Sequence, residues 1–181
     1  MRENREKASN EFRRDLAVDA SAGTGKTSTL VARVTNLFLA HPDLSPDHVL
    51  LLTFTDKAAA EMKARVTEGW ERLFAATQET GDADEVARRA AAWNPLARVP
   101  AGVYPDFAGL RRRVEEMVDA VGRLSVTTFH SFCARVLRSF PAEAGVDPLF
   151  EVLPEAAAAD AWDAAFRKFL QGEFGGEEVL P

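Results

Sequence analysis

Cysteine is almost absent from this chain of 181 residues, in which Cys133 is the only one. An intrachain disulfide is therefore excluded, and the composition is typical of a reducing compartment. The first residues, MRENREKASNEFRRD, are charged throughout and lack the apolar core of a secretion signal. No apolar run reaches the length that crosses a bilayer. We therefore expect a soluble, cytoplasmic protein with no membrane segment.

An excess of positive charge is also missing. The 22 Lys and Arg residues are outnumbered by 28 Asp and Glu residues, which gives a formal net charge of −6. A protein with this balance does not bind nucleic acid through its overall charge, so any DNA contact must come from a local patch. Hydrophobic residues make up 46% of the chain, which is enough for a domain with a buried core.

A glycine-rich turn lies between a short apolar run and an amphipathic segment. The apolar run is Leu16-Ala17-Val18, within a first strand predicted over Asp15 to Asp19, and the turn ends in Gly25-Lys26-Thr27. Glycines in such a turn let successive backbone N–H groups point at a phosphate, and the helix that follows adds its positive end. The strand, loop and helix order is that of a phosphate loop, whose Lys reaches the outer phosphates and whose Thr holds Mg²⁺.

We therefore predict a site for a nucleotide and Mg²⁺ here, in preference to a turn that binds no ligand. Lys26 and Thr27 are the predicted catalytic residues, and Thr27 is the predicted Mg²⁺ ligand. The predicted nucleotide-binding residues are Ala20, Ser21, Ala22, Gly23, Thr24, Gly25, Lys26, Thr27 and Ser28.

Two further apolar runs, Val49–Leu52 and Leu124–Thr128, predict strands of a parallel sheet, the first of them buried on both faces. Each is followed by polar and aromatic residues and then by an amphipathic helix. The carboxyl ends of parallel strands share the sheet edge at which open α/β sheets bind their ligands. Helical periodicity further predicts helices after the phosphate loop, after Asp56, after Asp106 and from Ala156 to Gln171.

Two segments between these elements have simpler interpretations. Residues 94–105 contain three prolines and are predicted to form an irregular surface connection. The triplet Arg111-Arg112-Arg113 is predicted to lie on a solvated helix face, with DNA contact as the alternative.

Three blocks, in order along the chain, resemble the UvrD/Rep group of superfamily 1 DNA helicases. ASAGTGKT resembles the phosphate loop of the RecB and AddA branch. LLTFTDKAAAEMKARV resembles a second block close to TFTNKAAxEMxxR, and VTTFHSFCARVLR resembles a third, close to TxHSFCxxxLR. The resemblance extends from about Leu16 to Phe150.

The second and third blocks hold single-stranded DNA in that family, so the resemblance implies the same role here. The residues that it places against DNA are Phe54, Thr55, Lys57, Thr128, Phe129, His130 and Ser131. Phe54 is expected to stack on a base, a contact worth roughly 1–3 kcal/mol. The structural alternatives are a core aromatic for Phe54 and a satisfied structural histidine for His130.

The resemblance also implies the fold and the function. We expect an α/β fold of the P-loop NTPase (RecA-like) type, an incomplete parallel sheet flanked by helices with the start of an inserted helical region. Residues 1–150 would be the N-terminal part of the first RecA-like ATP-binding domain, and residues 151–181 the start of the helical subdomain. The implied protein is an ATP-dependent helicase that moves along single-stranded DNA and unwinds duplex DNA in repair or recombination. Partner subunits of a helicase-nuclease complex are a further expectation.

Parts of the family's hydrolytic machinery have no counterpart in these residues. The only Asp-Glu pair, Asp84-Glu85, follows GDA instead of an apolar strand. In many relatives a Gln upstream of the phosphate loop contacts adenine, whereas the first Gln of this chain is Gln78, far downstream of the loop. This chain alone is therefore expected to bind nucleotide and DNA weakly, without turnover. The alternatives are a small P-loop phosphotransferase acting on a metabolite and a non-catalytic P-loop adaptor module.

Overall fold

A computed structural model describes residues 2–21 and 23–171, which divide into two compact units after Thr128. The first unit contains α1 (Arg2–Asn10), α2 (Lys26–Ala40), β1 (Leu50–Thr53), α3 (Asp56–Glu79), α4 (Ala83–Trp93), α5 (Phe107–Ala120) and β2 (Ser125–Thr128). The second contains α6 (Phe129–Ser139), α7 (Pro141–Ala144) and α8 (Glu155–Leu170). The protein is therefore α/β and mostly helical.

The sheet has two parallel strands, and both were predicted. β1 pairs with β2 from Leu50 opposite Ser125 to Thr53 opposite Thr128, and α3 packs against both strands. Their carboxyl ends therefore leave the same edge of the sheet, as expected. Burial on both faces was wrong for β1, because Leu51 is buried whereas the side chain of Leu50 is 38% exposed.

The strand predicted over Asp15 to Asp19 is not formed. This segment has an irregular conformation, and the side chain of Val18 is 60% exposed. A strand requires a neighbour to pair its backbone N–H and C=O groups, and neither β1 nor β2 pairs with this segment. An apolar run before a glycine-rich turn indicates a strand only where such a neighbour is present.

The core of the first unit lies between α2, α3 and α5, along the faces that helical periodicity predicted. Its fully buried side chains include Phe38, Trp70, Leu73, Leu110 and Met117. The rings of Phe38 and Trp70 meet at 6.5 Å between centroids, which joins α2 to α3.

The segment between α4 and α5 is irregular, as predicted, but it is not confined to the surface. Leu96 and Ala97 are buried, and Asn36 of α2 donates a hydrogen bond to the carbonyl of Leu96 at 2.9 Å. The same Asn36 side chain accepts a bond from the N–H of Arg98 at 2.8 Å. A side-chain amide can thus satisfy irregular backbone that would otherwise need water.

Arg113 does not lie on the solvated helix face that was predicted for it. Arg111 and Arg112 are exposed, as predicted, but Arg113 is only 7% exposed, and its guanidinium donates to the carbonyls of Phe38, His41 and Leu44. The pKa of Arg113 is lowered, mainly because burial penalises its charge. Arg113 therefore stabilises the carboxyl end of α2 from within the core.

The second unit consists of helices with little interior, in which Ala134 is the buried hydrophobic residue of the part that the structure describes. Pro141 was expected to close the helix that precedes it, and α6 ends two residues earlier, at Ser139. Pro141 then occupies the first turn of α7, where its missing N–H costs nothing. The predicted final helix is confirmed as α8. The domain division at residue 150 remains a prediction.

Among the described residues, no helix combines the length and apolar character that would let it cross a membrane.

Candidate nucleotide-binding site

The glycine-rich turn adopts backbone conformations that favour glycine. Gly23 and Gly25 have φ angles of 76° and 80°, in the left-handed region that costs other residues energy. Gly25 is the residue before α2, and no side chain caps the amino end of that helix. The first N–H groups of α2 consequently have no side-chain acceptor, which leaves them available to an anion.

Three side chains bond to carbonyls of the same turn. Nζ of Lys26 donates to the carbonyl oxygen of Ala20 at 2.8 Å, so the lysine folds back across the mouth of the loop. The hydroxyls of Thr24 and Thr29 donate to Ser21 at 2.7 Å and to Gly25 at 3.1 Å. These bonds hold the turn in its curled shape.

The hydroxyl of Thr27, by contrast, has no hydrogen-bond partner among the described residues. Thr27 and Ser28 are partly buried in the first turn of α2, and Ser21 is exposed. Ala22, which was also predicted to bind nucleotide, lies outside the described residues. The parts of the chain with a described structure contain no group of three or more His, Cys, Asp or Glu residues that could hold a metal.

A cavity of about 430 Å³ opens beside the loop. Ala20, Ser21, Thr24 and Lys26 line it from the loop, and α1 and α2 supply the other walls. Much of the lining is apolar, and Ala8, Val18 and Leu30 contribute to it. A cavity of this size accommodates a small-molecule ligand beside Lys26.

The contribution of α1 to this cavity is a feature that sequence reasoning missed. Arg5 of α1 lines it, and a Cβ atom added to Gly25 would lie 2.7 Å from Nη2 of Arg5. Nε of Arg5 also donates to the Thr29 hydroxyl, at a long 3.5 Å. Nothing in the local sequence distinguishes Arg5 from Arg13 or Arg14, so only the packing of α1 could identify it.

α1 is held beside the loop by α2. Nη1 of Arg33 donates to the carbonyl of Ala8 at 2.8 Å, and the guanidinium lies 5.2 Å from the centre of the Phe12 ring. Asn36 donates to Asn10 at 2.9 Å, one turn further along α2. Polar groups at successive turns of α2 thus fix the position of α1.

The end of β1 presents the first group of predicted DNA contacts. Phe54 follows β1 directly and is 86% exposed, which excludes the alternative of a core aromatic. Thr55 is the N-cap of α3, and its hydroxyl oxygen accepts a hydrogen bond from the N–H of Ala58 at 3.1 Å. Lys57 is exposed in the first turn of α3.

The second group lies at the end of β2 and the start of α6. Thr128 is the last residue of β2 and is buried, so its side chain is less accessible than the others. Phe129 is 45% exposed, and His130 and Ser131 are exposed in the first turn of α6. DNA contact by both groups remains a prediction.

The Asp84-Glu85 pair lies in the first turn of α4, away from the phosphate loop in the sequence and outside the lining of the cavity. Glu85 accepts bonds from Arg89 and Arg88, and these bonds lower the pKa of its carboxyl. Glu85 thus belongs to an ion-pair cluster with Arg88 and Arg89, whereas Asp84 forms no ion pair within the described residues.

The chain is similar to known proteins over nearly its whole length. Residues 1–174 match the UvrD/REP helicase N-terminal domain. Similar curated proteins include three ATP-dependent helicase/nuclease subunits. That of Listeria monocytogenes (strain HCC23) is 30% identical over 90% of this chain, and that of Geobacillus thermodenitrificans is 32% identical over 90%. The protein of the same name from Latilactobacillus sakei is 31% identical over 88%.

This chain spans 11% of the length of the first two of these relatives and 15% of the third. The phosphate loop and both strand-end segments lie within the matched residues 1–174. The match extends over nearly the whole sequence, and the chain therefore belongs to the UvrD/REP helicase family, to whose N-terminal domain it corresponds.

Proposed function

We propose that this chain is the ATP-binding N-terminal portion of an ATP-dependent DNA helicase, which moves along single-stranded DNA in repair or recombination. The observation that carries the proposal is the loop around Lys26. It combines two left-handed glycines, an uncapped helix end and an adjoining cavity of about 430 Å³. The match to the helicase family over residues 1–174 supports the proposal.

Residues 20–28 would hold the phosphates of ATP, with Lys26 leaving the Ala20 carbonyl to contact the outer phosphates. Mg²⁺ fits the same site through Thr27, because its hydroxyl is unused within the described residues and Mg²⁺ needs few protein ligands when phosphate oxygens are present. The ion would neutralise charge on the phosphates. Lys26 and Thr27 would orient the phosphate chain.

The two strand ends would bind single-stranded DNA. Thr53 and Thr128 pair across the sheet, so the segments that begin with Phe54 and Phe129 leave from neighbouring strands. Phe54 would stack on a base, and Thr55 and Lys57 would lie near the sugar-phosphate backbone. His130 and Ser131 would also contact DNA. Stacking does not depend on base identity, which suits a translocating protein.

The finer architecture is also a proposal. Residues 1–150 would belong to a RecA-like domain and residues 151–181 to the start of an inserted helical subdomain. Without a water-activating acid after an apolar strand, this chain alone would bind nucleotide and DNA weakly and without turnover. By analogy with relatives named as helicase/nuclease subunits, the whole protein would act with a partner protein in the cytoplasm.

The nucleotide site is tested with Lys26→Ala and with Lys7→Ala, an exposed lysine of α1, as the matched control. We expect Lys26→Ala to weaken Mg-ATP binding in calorimetry by about tenfold or more, because a charge-assisted contact is lost, while circular dichroism is unchanged. Equal affinities for the two variants would refute the phosphate loop.

The DNA surface is tested by Phe54→Ala and Phe54→Leu in a fluorescence anisotropy titration with a single-stranded oligonucleotide. A stacking contact of roughly 1–3 kcal/mol predicts a loss of about fivefold or more for both variants, since leucine keeps the apolar bulk without the ring face. Wild-type affinity in Phe54→Leu would show that the contact is not stacking.

A further inference from the structure

We propose that Arg5 of α1 is a second phosphate-binding cation of the nucleotide site, which donates its guanidinium N–H groups to the polyphosphate of a bound nucleoside triphosphate. This inference rests on the proposed nucleotide site, to which it adds a residue and a secondary-structure element. Neither the loop motif nor the match to relatives identifies Arg5.

The first observation is position. Arg5 and Lys26 line the same cavity of about 430 Å³, Arg5 from α1 and Lys26 from the start of α2. The guanidinium of Arg5 lies against the backbone of Gly25, where an added Cβ would be 2.7 Å from Nη2. A phosphate chain bound in the curl of the loop would therefore have both cations within the cavity that holds it.

The second observation is charge. Among the described residues, neither Arg5 nor Lys26 forms an ion pair, whereas Arg88, Arg89 and Arg98 each pair with a glutamate. Asp19 is the one carboxylate side chain in the lining of the cavity, and it is exposed and pairs with neither cation. Arg33 also lines the cavity without an ion pair among the described residues, but its guanidinium is bonded to the carbonyl of Ala8 and lies over the Phe12 ring. Arg5 and Lys26 are thus the two cations of the lining that are left for an anionic ligand.

The amino end of α2 increases the imbalance. Its first turn carries the positive end of the helix dipole, and cations are disfavoured there. Holding Arg5 and Lys26 beside this turn costs free energy that a polyanion would recover. A neutral ligand would not recover it.

The third observation is that Arg5 is held only weakly. Its bond from Nε to the Thr29 hydroxyl is 3.5 Å long, at the upper limit for a hydrogen bond. A planar guanidinium offers five donors and bonds two phosphate oxygens at once, which neither the threonine hydroxyl nor a lysine can match. Arg5 would therefore exchange Thr29 for phosphate when a nucleotide binds.

The anchoring of α1 supports the same conclusion. Arg33 and Asn36 hold α1 to α2 at Ala8 and Asn10, so the backbone of Arg5 is positioned without help from the Arg5 side chain. A role for the Arg5 guanidinium in fixing α1 would duplicate these bonds. Contact with a ligand would not.

The test compares Arg5→Ala, Arg5→Lys and Arg13→Ala in this chain. Arg13 is an exposed arginine of the same N-terminal segment outside the cavity lining, so its replacement makes the same change in net charge. Sodium tripolyphosphate, ATP and adenosine are titrated separately by calorimetry, with thermal denaturation of each apo variant recorded alongside.

We expect Arg5→Ala to weaken the binding of tripolyphosphate and of ATP by about tenfold, and Arg13→Ala to weaken it by less than about twofold. Neither variant should change the affinity for adenosine. The affinity of Arg5→Lys for both ligands should lie between those of wild type and Arg5→Ala, because lysine keeps the positive charge but lacks the paired N–H donors of the guanidinium. Tripolyphosphate should also slow hydrogen exchange in α1 of the wild type and not of Arg5→Ala. If Arg5→Ala is unfolded, the tripolyphosphate and ATP affinities of Arg5→Lys are compared with those of Arg13→Ala instead.

Three results would overturn the assignment. If Arg5→Ala binds ATP as well as Arg13→Ala does, while Lys26→Ala does not bind, the nucleotide site stands and Arg5 is not part of it. If Arg5→Ala weakens the binding of ATP but not of tripolyphosphate, Arg5 contacts the nucleoside and not the phosphates. If wild type binds neither, the proposed nucleotide site itself has failed.

Discussion

Replacement of Arg113 by alanine should destabilise the protein far more than replacement of its neighbour Arg112. Nη2 of Arg113 donates to the carbonyls of Leu44 at 2.7 Å, Phe38 at 3.2 Å and His41 at 3.3 Å. α2 ends at Ala40, and the last four carbonyls of a helix have no partner within it. One buried side chain thus satisfies several backbone oxygens at once.

The magnitude follows from this geometry. A hydrogen bond to a charged group contributes about 1.5–3 kcal/mol, and stranding a buried acceptor adds a desolvation cost. The bond at 2.7 Å should count fully, whereas those at 3.2 and 3.3 Å are longer and share one nitrogen. We therefore expect Arg113→Ala to lower the free energy of unfolding by about 3–4 kcal/mol, a large part of the roughly 5–15 kcal/mol typical of a domain.

Urea denaturation followed by circular dichroism measures this difference. Arg112→Ala is the matched control, because Arg112 is the adjacent, exposed arginine of the same helix and should change the stability by less than about 0.5 kcal/mol. Arg113→Lys keeps the positive charge but lacks the several N–H donors of the guanidinium. Its free energy of unfolding should therefore lie between those of Arg113→Ala and Arg112→Ala. The argument fails if Arg113→Ala and Arg112→Ala unfold at the same urea concentration.

The remaining predictions concern the loop, a helix cap and the single tyrosine. Gly25→Ala should weaken nucleotide binding by about tenfold or more, because φ is +80° and a residue with a Cβ is strained there, whereas Gly81→Ala, with open space around it, should bind normally in the same calorimetric titration. Thr55→Ala should lower the free energy of unfolding in urea by about 1 kcal/mol through loss of the α3 cap, and Thr55→Ser should restore it. Burial raises the pKa of Tyr104 from 10.0 to about 12, so its stabilising effect is complete below pH 10 and is lost as the pH rises through 12. Phenolate absorbance should therefore titrate near 12 in the folded protein and near 10 in urea; equal values would contradict the burial of this side chain.

Several elements could be predicted because their signals are local. The stripe Met62, Val66, Trp70, Leu73 and Phe74 recurs at helical spacing. Its first four members are buried as predicted, and Phe74 is partly buried against the core. The runs around Leu51 and Val126 are short, apolar and β-branched or leucine-rich, and each forms a strand. Neighbouring residues alone determine such patterns.

Other elements depended on distant partners. The apolar run around Val18 resembles a strand in composition, but no paired neighbour is present in the described sheet, so it is irregular. Arg113 and Arg112 have the same chemistry, and only the approach of the α2 carboxyl end makes one of them a core residue. Arg5 likewise became a candidate only when α1 was placed against the loop.

By itself, the sequence determined the phosphate-loop motif, the helical faces and the family, because each depends on residue types at short, fixed spacing. Tertiary structure alone decided which cations lie beside the loop, which arginine is buried and which apolar run pairs as a strand. Those outcomes depend on contacts between residues far apart in the chain, such as Arg5 with Thr29 and Arg113 with Leu44. The spacing of residues within a segment does not reveal such contacts, because they form only when the helices pack together.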